Sequence, residues 1–267
     1  MPRFTSATPA PACICVEKGL MAAIDLNSDL GESFGAYRLG DDAAMMPLIT
    51  SANVACGFHA GDPLVMAATL RLARAAGVAV GAHPGYPDLQ GFGRRDMDLT
   101  PEEAEACVLY QLGALAAFAR AEGVDLVHVK PHGALYNQAA RSPALAAAVA
   151  RAVARFSPGL ILVGLAGSAL ITAGREAGLR VAAEAFPDRA YNPDGSLRSR
   201  RLPGAVLEAP AEVAAQALNL AQNGVNGQPV DTLCLHGDNP AAVEHARAVN
   251  ETLTTAGLIL ASLKCLF

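Results

Sequence analysis

The chain has no tryptophan, and aromatic residues fill only 5% of its 267 positions. Platforms for stacking nucleobases or sugar rings are therefore poorly supported. Lysine is nearly absent as well, with Lys18, Lys130 and Lys264 the only three. Runs of Lys or Arg are missing, the formal net charge is -5 and the pI is near 5.7. That balance excludes the basic footprint expected of a protein that binds nucleic acid or an anionic membrane surface.

The six cysteines, Cys13, Cys15, Cys56, Cys107, Cys234 and Cys265, include no CxxC pair. This spacing speaks against a zinc finger or a disulfide framework and for reduced, mostly buried thiols in a cytoplasmic protein. No GxxxxGK[ST] phosphate loop is present, no GxGxxG opens a helix after a strand, and no GxSxG marks a serine nucleophile. Long apolar runs are also scarce. Mean hydropathy is +0.28, but the apolar uncharged stretch 156–174 is broken by Pro158, Gly159, Gly164, Gly167 and Ser168. Residues 1–20 carry Arg3 but no continuous apolar segment, so a disordered leader is expected rather than a secretory signal.

What remains is a hydrophobic fraction of 52% with only 17% charged residues, enough for a large core. From position 21 onward, short apolar segments alternate with Ala-rich amphipathic ones. Strands are expected at 24–27, 53–56, 78–82, 125–130, 160–165, 179–185 and 231–235, with 258–263 a last strand or a closing segment. Helices are expected from Asp42 towards Thr50, from Pro63 to Ala76 before Gly77, and after Ser142-Pro143. Others should follow the fifth strand, cover 211–222 and start from Pro240. Thr100-Pro101-Glu102-Glu103 forms a capping box for a helix running to about Glu122.

Such alternation implies parallel strands joined by right-handed crossovers. A doubly wound sheet gathers its ligand at one switch point, whereas a barrel draws site residues from many strand ends. Here polar residues follow nearly every strand except the fifth. The pattern favours a TIM-like parallel β/α barrel in a single domain over 21–267.

The chemistry-bearing residues sit at those strand ends. Asp25 and Asn27 share one face of the first strand, with Asp29 and Glu32 just beyond. Asn53 opens the second strand, His59 and Asp62 follow it, and His83 follows the third. His128, Lys130 and His132 alternate along the fourth. Glu184 lies at the end of the sixth strand, Asp188 and Arg189 follow it, and His236 and Asp238 follow the seventh. An imidazole can carry a proton or ligate a metal, and an inward lysine needs a carboxylate partner or an anionic ligand. Arg95, Arg189 and the 198–201 arginines could clamp a carboxylate or phosphate. Each residue also has a plainer reading, as a turn cap, a structural ion pair or a solvated loop charge. His245, on a helix, reads as a surface residue.

Six stretches, 25–32 (DLNSDLGE), 53–63 (NVACGFHAGDP), 81–95 (GAHPGYPDLQGFGRR), 129–137 (VKPHGALYN), 184–191 (EAFPDRAY) and 236–238 (HGD), together resemble the LamB/YcsF family, whose members form the A subunit of bacterial 5-oxoprolinase. The likeness covers nearly all of 23–263; the leader and Pro187 depart from it. It implies an irregular seven-stranded β/α barrel similar to that of sugar deacetylases. It also implies ATP-dependent opening of 5-oxoproline to L-glutamate with subunits B and C. On that reading Asp25, Glu32, His59, Asp62, His83, Lys130, His132 and His236 are the catalytic candidates. Asn27, Asn53, Arg95, Glu184, Asp188, Arg189 and Asp238 would bind substrate. Two alternatives stay open. One is a metal-dependent amide or sugar deacetylase with Asp29, His59 and His132 around a divalent ion; the other is a non-catalytic substrate-binding subunit.

Overall fold

Alternation shapes this fold, because most strands carry one row of apolar side chains and a second row that is polar or small. The computed structural model describes residues 22–200 and 202–267; the expected leader at 1–20 and Arg201 lie outside the described residues. The strands are β1 (Ala23–Leu30), β2 (Ser51–Ala55), β3 (Ala79–His83), β4 (Leu126–Val129), β5 (Ile161–Leu165), β6 (Arg180–Ala185), β7 (Thr232–His236) and β8 (Ile259–Leu260). The helices are α1 (Asp42–Met45), α2 (Pro63–Ala76), α3 (Pro101–Ala121), α4 (Gly133–Arg141), α5 (Pro143–Phe156), α6 (Ala169–Glu176), α7 (Pro210–Asn223), α8 (Ala242–Thr255) and α9 (Leu263–Leu266).

β1 pairs in parallel with both β2 and β7, so seven parallel strands close into the expected ring. β8 lies outside it, paired with Ala23 and Ile24 of β1. The outward row, including Leu26, Leu30, Val54, Val80, Val129, Leu162, Leu233 and Leu235, lies buried in the main core with the helices. Inside the ring, Ile161, Val163 and Ala182 pack on Leu263 of α9, which forms an apolar floor. The fifth strand thus gives the interior hydrocarbon where its neighbours give polar groups.

Local signals place most helices. Asp62 caps α2 by accepting from the Leu64 and Val65 amides, Pro63 fills the first turn, and Gly77 ends the helix at φ 70°. The Thr100–Glu103 capping box opens α3 as expected. α4 is absent from the sequence expectations because it has no capping side chain: it starts directly behind His132, on Gly133 at φ 52°. Its first turn is tied down by the Ala134 amide donating to the Gly93 carbonyl at 2.8 Å, a long-range contact with no local signature.

Some expectations need correction. β1 continues to Leu30 rather than stopping at Asn27. The helix begun at Asp42 ends at Met45 and passes into a 3-10 turn, Met46–Leu48, around Pro47. His245 is buried, with Nε2 2.9 Å from the Glu208 carbonyl oxygen, so it is no surface residue. Cys56, Cys107 and Cys234 are free thiols, whereas Cys265 is disulfide-bonded, against the expectation of reduced thiols throughout. Among the described residues no helix is long and apolar enough to cross a membrane.

Candidate active site

The inward row of β1 steps up the barrel axis as Asp25, Asn27 and Asp29, and each meets a different layer. Asp25 lies lowest. It accepts hydrogen bonds from Thr50 Oγ1 (2.7 Å), Ser51 Oγ (2.6 Å) and Thr232 Oγ1, and burial pushes its pKa up to about 6. In the next layer Asn27 Nδ2 donates to Glu184 Oε1 (3.0 Å) and Thr232 Oγ1 (2.6 Å), while its Oδ1 accepts from Asn53 Nδ2 (2.7 Å). His128 Nε2 stands 2.7 Å from Asn53 Oδ1, and burial drops its pKa to about 3, so the ring is neutral. Gly81 makes room for it: a Cβ there would lie 2.2 Å from the His128 ring.

Lys130 crosses the third layer. Its Nζ is 2.8 Å from Asp29 Oδ1, 3.1 Å from Glu184 Oε1 and 2.8 Å from Cys234 Sγ. Burial opposes the ammonium charge, but Asp29 leads the neighbours that outweigh it and hold the pKa well above the ordinary lysine value. Burial likewise pushes the Asp29 carboxyl up, yet His83 and Lys130 keep it well below the usual range. Lys130 therefore has its carboxylate partners within the protein.

At the rim, Glu32, His59, His83 and His132 offer one ligand atom each, all within 4.8 Å of one another, and all four residues are buried. Glu32 Oε1 is 3.2 Å from His59 Nε2 and 3.4 Å from His132 Nδ1. The His59 and His132 rings stack at 3.7 Å. Two tautomers follow from carbonyl partners. His83 Nδ1 donates to the Lys130 carbonyl oxygen (2.7 Å), and His132 Nε2 donates to the Phe92 carbonyl oxygen (2.8 Å). In the neutral rings, the bare nitrogens, His83 Nε2 and His132 Nδ1, then face each other at 3.0 Å. Burial lowers the pKa of both His59 and His132 well below the ordinary value and, with Asp29 alongside, raises that of Glu32 well above it. Three imidazoles and a carboxylate with carbonyls behind two rings fit a divalent metal ion.

A cavity of about 830 Å³ opens over these layers, lined by Asp29, His83, Lys130, His132, Tyr136 and His236 among others. His236 Nδ1 is 2.7 Å from Asp188 Oδ2, and the ring stacks on Phe186 at 5.3 Å. Burial pushes the Asp188 carboxyl up, but His236 outweighs it and leaves its pKa below the ordinary value.

The structure thus gathers Asn27, Asp29, Glu32, Asn53, His59, His83, Lys130, His132, Glu184, Asp188 and His236 around one interior. Asp25 sits beneath, enclosed by hydroxyls. Asp62 is a helix cap. Arg95 and Arg189 also line the cavity, Arg95 with an exposed side chain paired to Asp88 and Arg189 donating to the Ala205 and Arg198 carbonyl oxygens. Asp238 holds Arg94 (2.6 Å), which lines the cavity with Arg200. Tyr136 and Cys234 were not anticipated. Cys234 sits in an apolar strand that reads as ordinary core, and Tyr136 on α4, the helix without a local start signal.

The sequence model of the LamB/YcsF family matches residues 24–266. A protein of Chloroflexus aggregans that is named as the A subunit of 5-oxoprolinase is 58% identical over 246 residues, 89% of this chain and 98% of that one. The protein of the same name from Pyrococcus furiosus is 56% identical over 88% of this chain and 95% of its own length. The crystal structure of a lactam utilization protein from Thermus thermophilus superposes with a TM-score of 0.84 at 51% identity, covering 90% of this chain and all of that one. A peptidoglycan N-acetylglucosamine deacetylase domain from Eubacterium rectale shares the fold at a TM-score of 0.52 and 12% identity, over 96% of this chain and 93% of that domain.

Proposed function

This chain belongs to the LamB/YcsF family, and from that premise we propose that it is the barrel component of a cytoplasmic 5-oxoprolinase. It acts with subunits B and C, uses ATP, and opens the lactam of 5-oxoproline to L-glutamate. Relatives that carry the name of the 5-oxoprolinase A subunit support the reading over nearly their whole length. The observation that carries it is the convergence of Lys130, His83, His132 and His236 on one cavity, with Glu32, His59 and Asp188 directly behind them.

An unstrained amide is a poor electrophile, so phosphorylation of its oxygen by ATP makes the carbon open to water. Asp188 fixes the His236 tautomer with the proton on Nδ1, leaving Nε2 to take a proton from the attacking water. Lys130, committed to Asp29 and Glu184, organises the site's charges rather than clamping the substrate carboxylate. That task passes to Arg94 and Arg200 at the cavity wall. A divalent ion held by the Glu–His cluster would polarise a carbonyl or lower the pKa of a water.

Reconstitution with candidate B and C subunits, following glutamate release from 5-oxoproline with and without ATP, tests the proposal. ATP-dependent release that needs the barrel is expected; release unchanged when the barrel is omitted would overturn it. Survival of activity in both His59→Gln and Lys130→Met complexes would reduce the barrel to a scaffold.

A further inference from the structure

The rim cluster is more selective than a generic cation site. We infer that Glu32, His59, His83 and His132 form a three-nitrogen, one-oxygen centre for a borderline transition metal of the Zn2+, Co2+ or Ni2+ class, not for Mg2+ or Ca2+, with its accessible side towards the cavity. This deepens the proposed function and rests on that reading only for the use to which the metal is put.

Donor chemistry comes first. Mg2+ and Ca2+ take oxygen ligands, whereas imidazole suits the later first-row metals. Here three of the four donor groups are imidazoles. The arrangement of the rings is also unbalanced: carbonyl partners hold protons on His83 Nδ1 and His132 Nε2, so two lone pairs oppose each other across 3.0 Å. A shared proton, with Asp29 Oδ2 3.3 Å from His83 Nε2 as its counter-charge, would relieve that opposition but leave His59 outside the arrangement. A metal ion relieves it while using both lone pairs. His59 Nδ1 has no hydrogen-bond partner, so that ring has no second acceptor holding its tautomer, and its Nε2 stands 3.2 Å from Glu32 Oε1. Placement sets the open side. His83 and His132 line the cavity together with Asp29, whereas Glu32 and His59 do not, so the two pairs of ligands flank the ion from the cavity side and from behind.

The backbone forms a cradle built for these rings. Gly93 has φ +62°, and a Cβ there would come within 2.7 Å of His59 Cβ and 2.8 Å of His132 Cδ2. Gly85 similarly leaves room beside His59 Nδ1, where a Cβ would approach to 2.7 Å.

The test uses the purified full chain, stripped with chelator and then titrated separately with Zn2+, Co2+, Mg2+ and Ca2+ by calorimetry, with metal content measured after gel filtration. Expected are one equivalent of Zn2+ or Co2+ per chain, retained through filtration, at least about a hundredfold preference over Mg2+, and a Co2+ ligand-field spectrum with nitrogen donors. His83→Gln and His132→Gln should each weaken Zn2+ binding by about tenfold or more while circular dichroism shows the fold intact. Should either variant unfold, Glu32→Gln with the same titration takes its place. Equal affinity for Mg2+, or Zn2+ binding unmoved by these variants, would overturn the inference. Retention of no Zn2+ or Co2+ after gel filtration would overturn it as well, while a reconstituted complex that still releases glutamate would leave the proposed function standing. Zn2+ bound as described without lactam turnover would sink the function and keep the metal centre.

Discussion

Lys130 shows how much one side chain decides. Its ammonium lies between two buried carboxylates, so Lys130→Met leaves Asp29 and Glu184 facing each other without a counter-charge. A loss of about 3–5 kcal/mol in urea-unfolding free energy is expected, and Asp29→Asn in the same chain should recover part of it. Asp25 makes a different prediction. Its folded pKa, about 6, lies above the ordinary 3.8, so the folded state binds the extra proton and stability from this group is complete below pH 3.8. That stability fades as pH rises through about 6. Relative to Asp25→Asn, the wild-type protein should therefore lose about 2 kcal/mol between pH 4 and pH 7, read from paired denaturation curves. Alternation along one strand was enough to place Asp25, Asn27 and Lys130 inside. Which inward charges are satisfied by neighbours was not legible, because those neighbours come from other strands, as with Lys130 and Asp29, 101 residues apart.

At the scale of elements, caps and turns were readable wherever their signal is local. Asp62 is the instructive case: strand-end position made it a catalytic candidate, yet its carboxylate is spent on the Leu64, Val65 and Gly35 amides. Asp62→Ala should cost about 1 kcal/mol of stability by thermal unfolding and leave turnover of folded complex unchanged. A large drop in turnover at full folding would return Asp62 to the catalytic set. Gly93→Ala is expected to do the reverse. It strains a left-handed turn and drives a methyl into His59 and His132, so Zn2+ affinity should fall more than the melting temperature, compared in one preparation. α4 escaped notice because its start depends on Gly93 across the barrel mouth and not on its own sequence.

For the molecule as a whole, seven strands in place of eight leave a ring whose upper half holds polar layers and whose lower half needs a filler. Leu263 supplies it, packed on Ile161, Val163 and Ala182 from a four-residue helix that follows the last strand. The short α9 is thus a stopper pressed into the underside of the barrel. Its fit keeps bulk water from the hydroxyl nest just above, since the Leu263 amide itself reaches Ser51 Oγ at 3.4 Å and Ser51 holds Asp25. Pulling the stopper with Leu263→Ala should destabilise by about 2–5 kcal/mol and, by wetting Asp25, flatten the pH dependence described for that residue. A seal made at one end of the barrel would then be felt as a change in proton affinity deep within its bore.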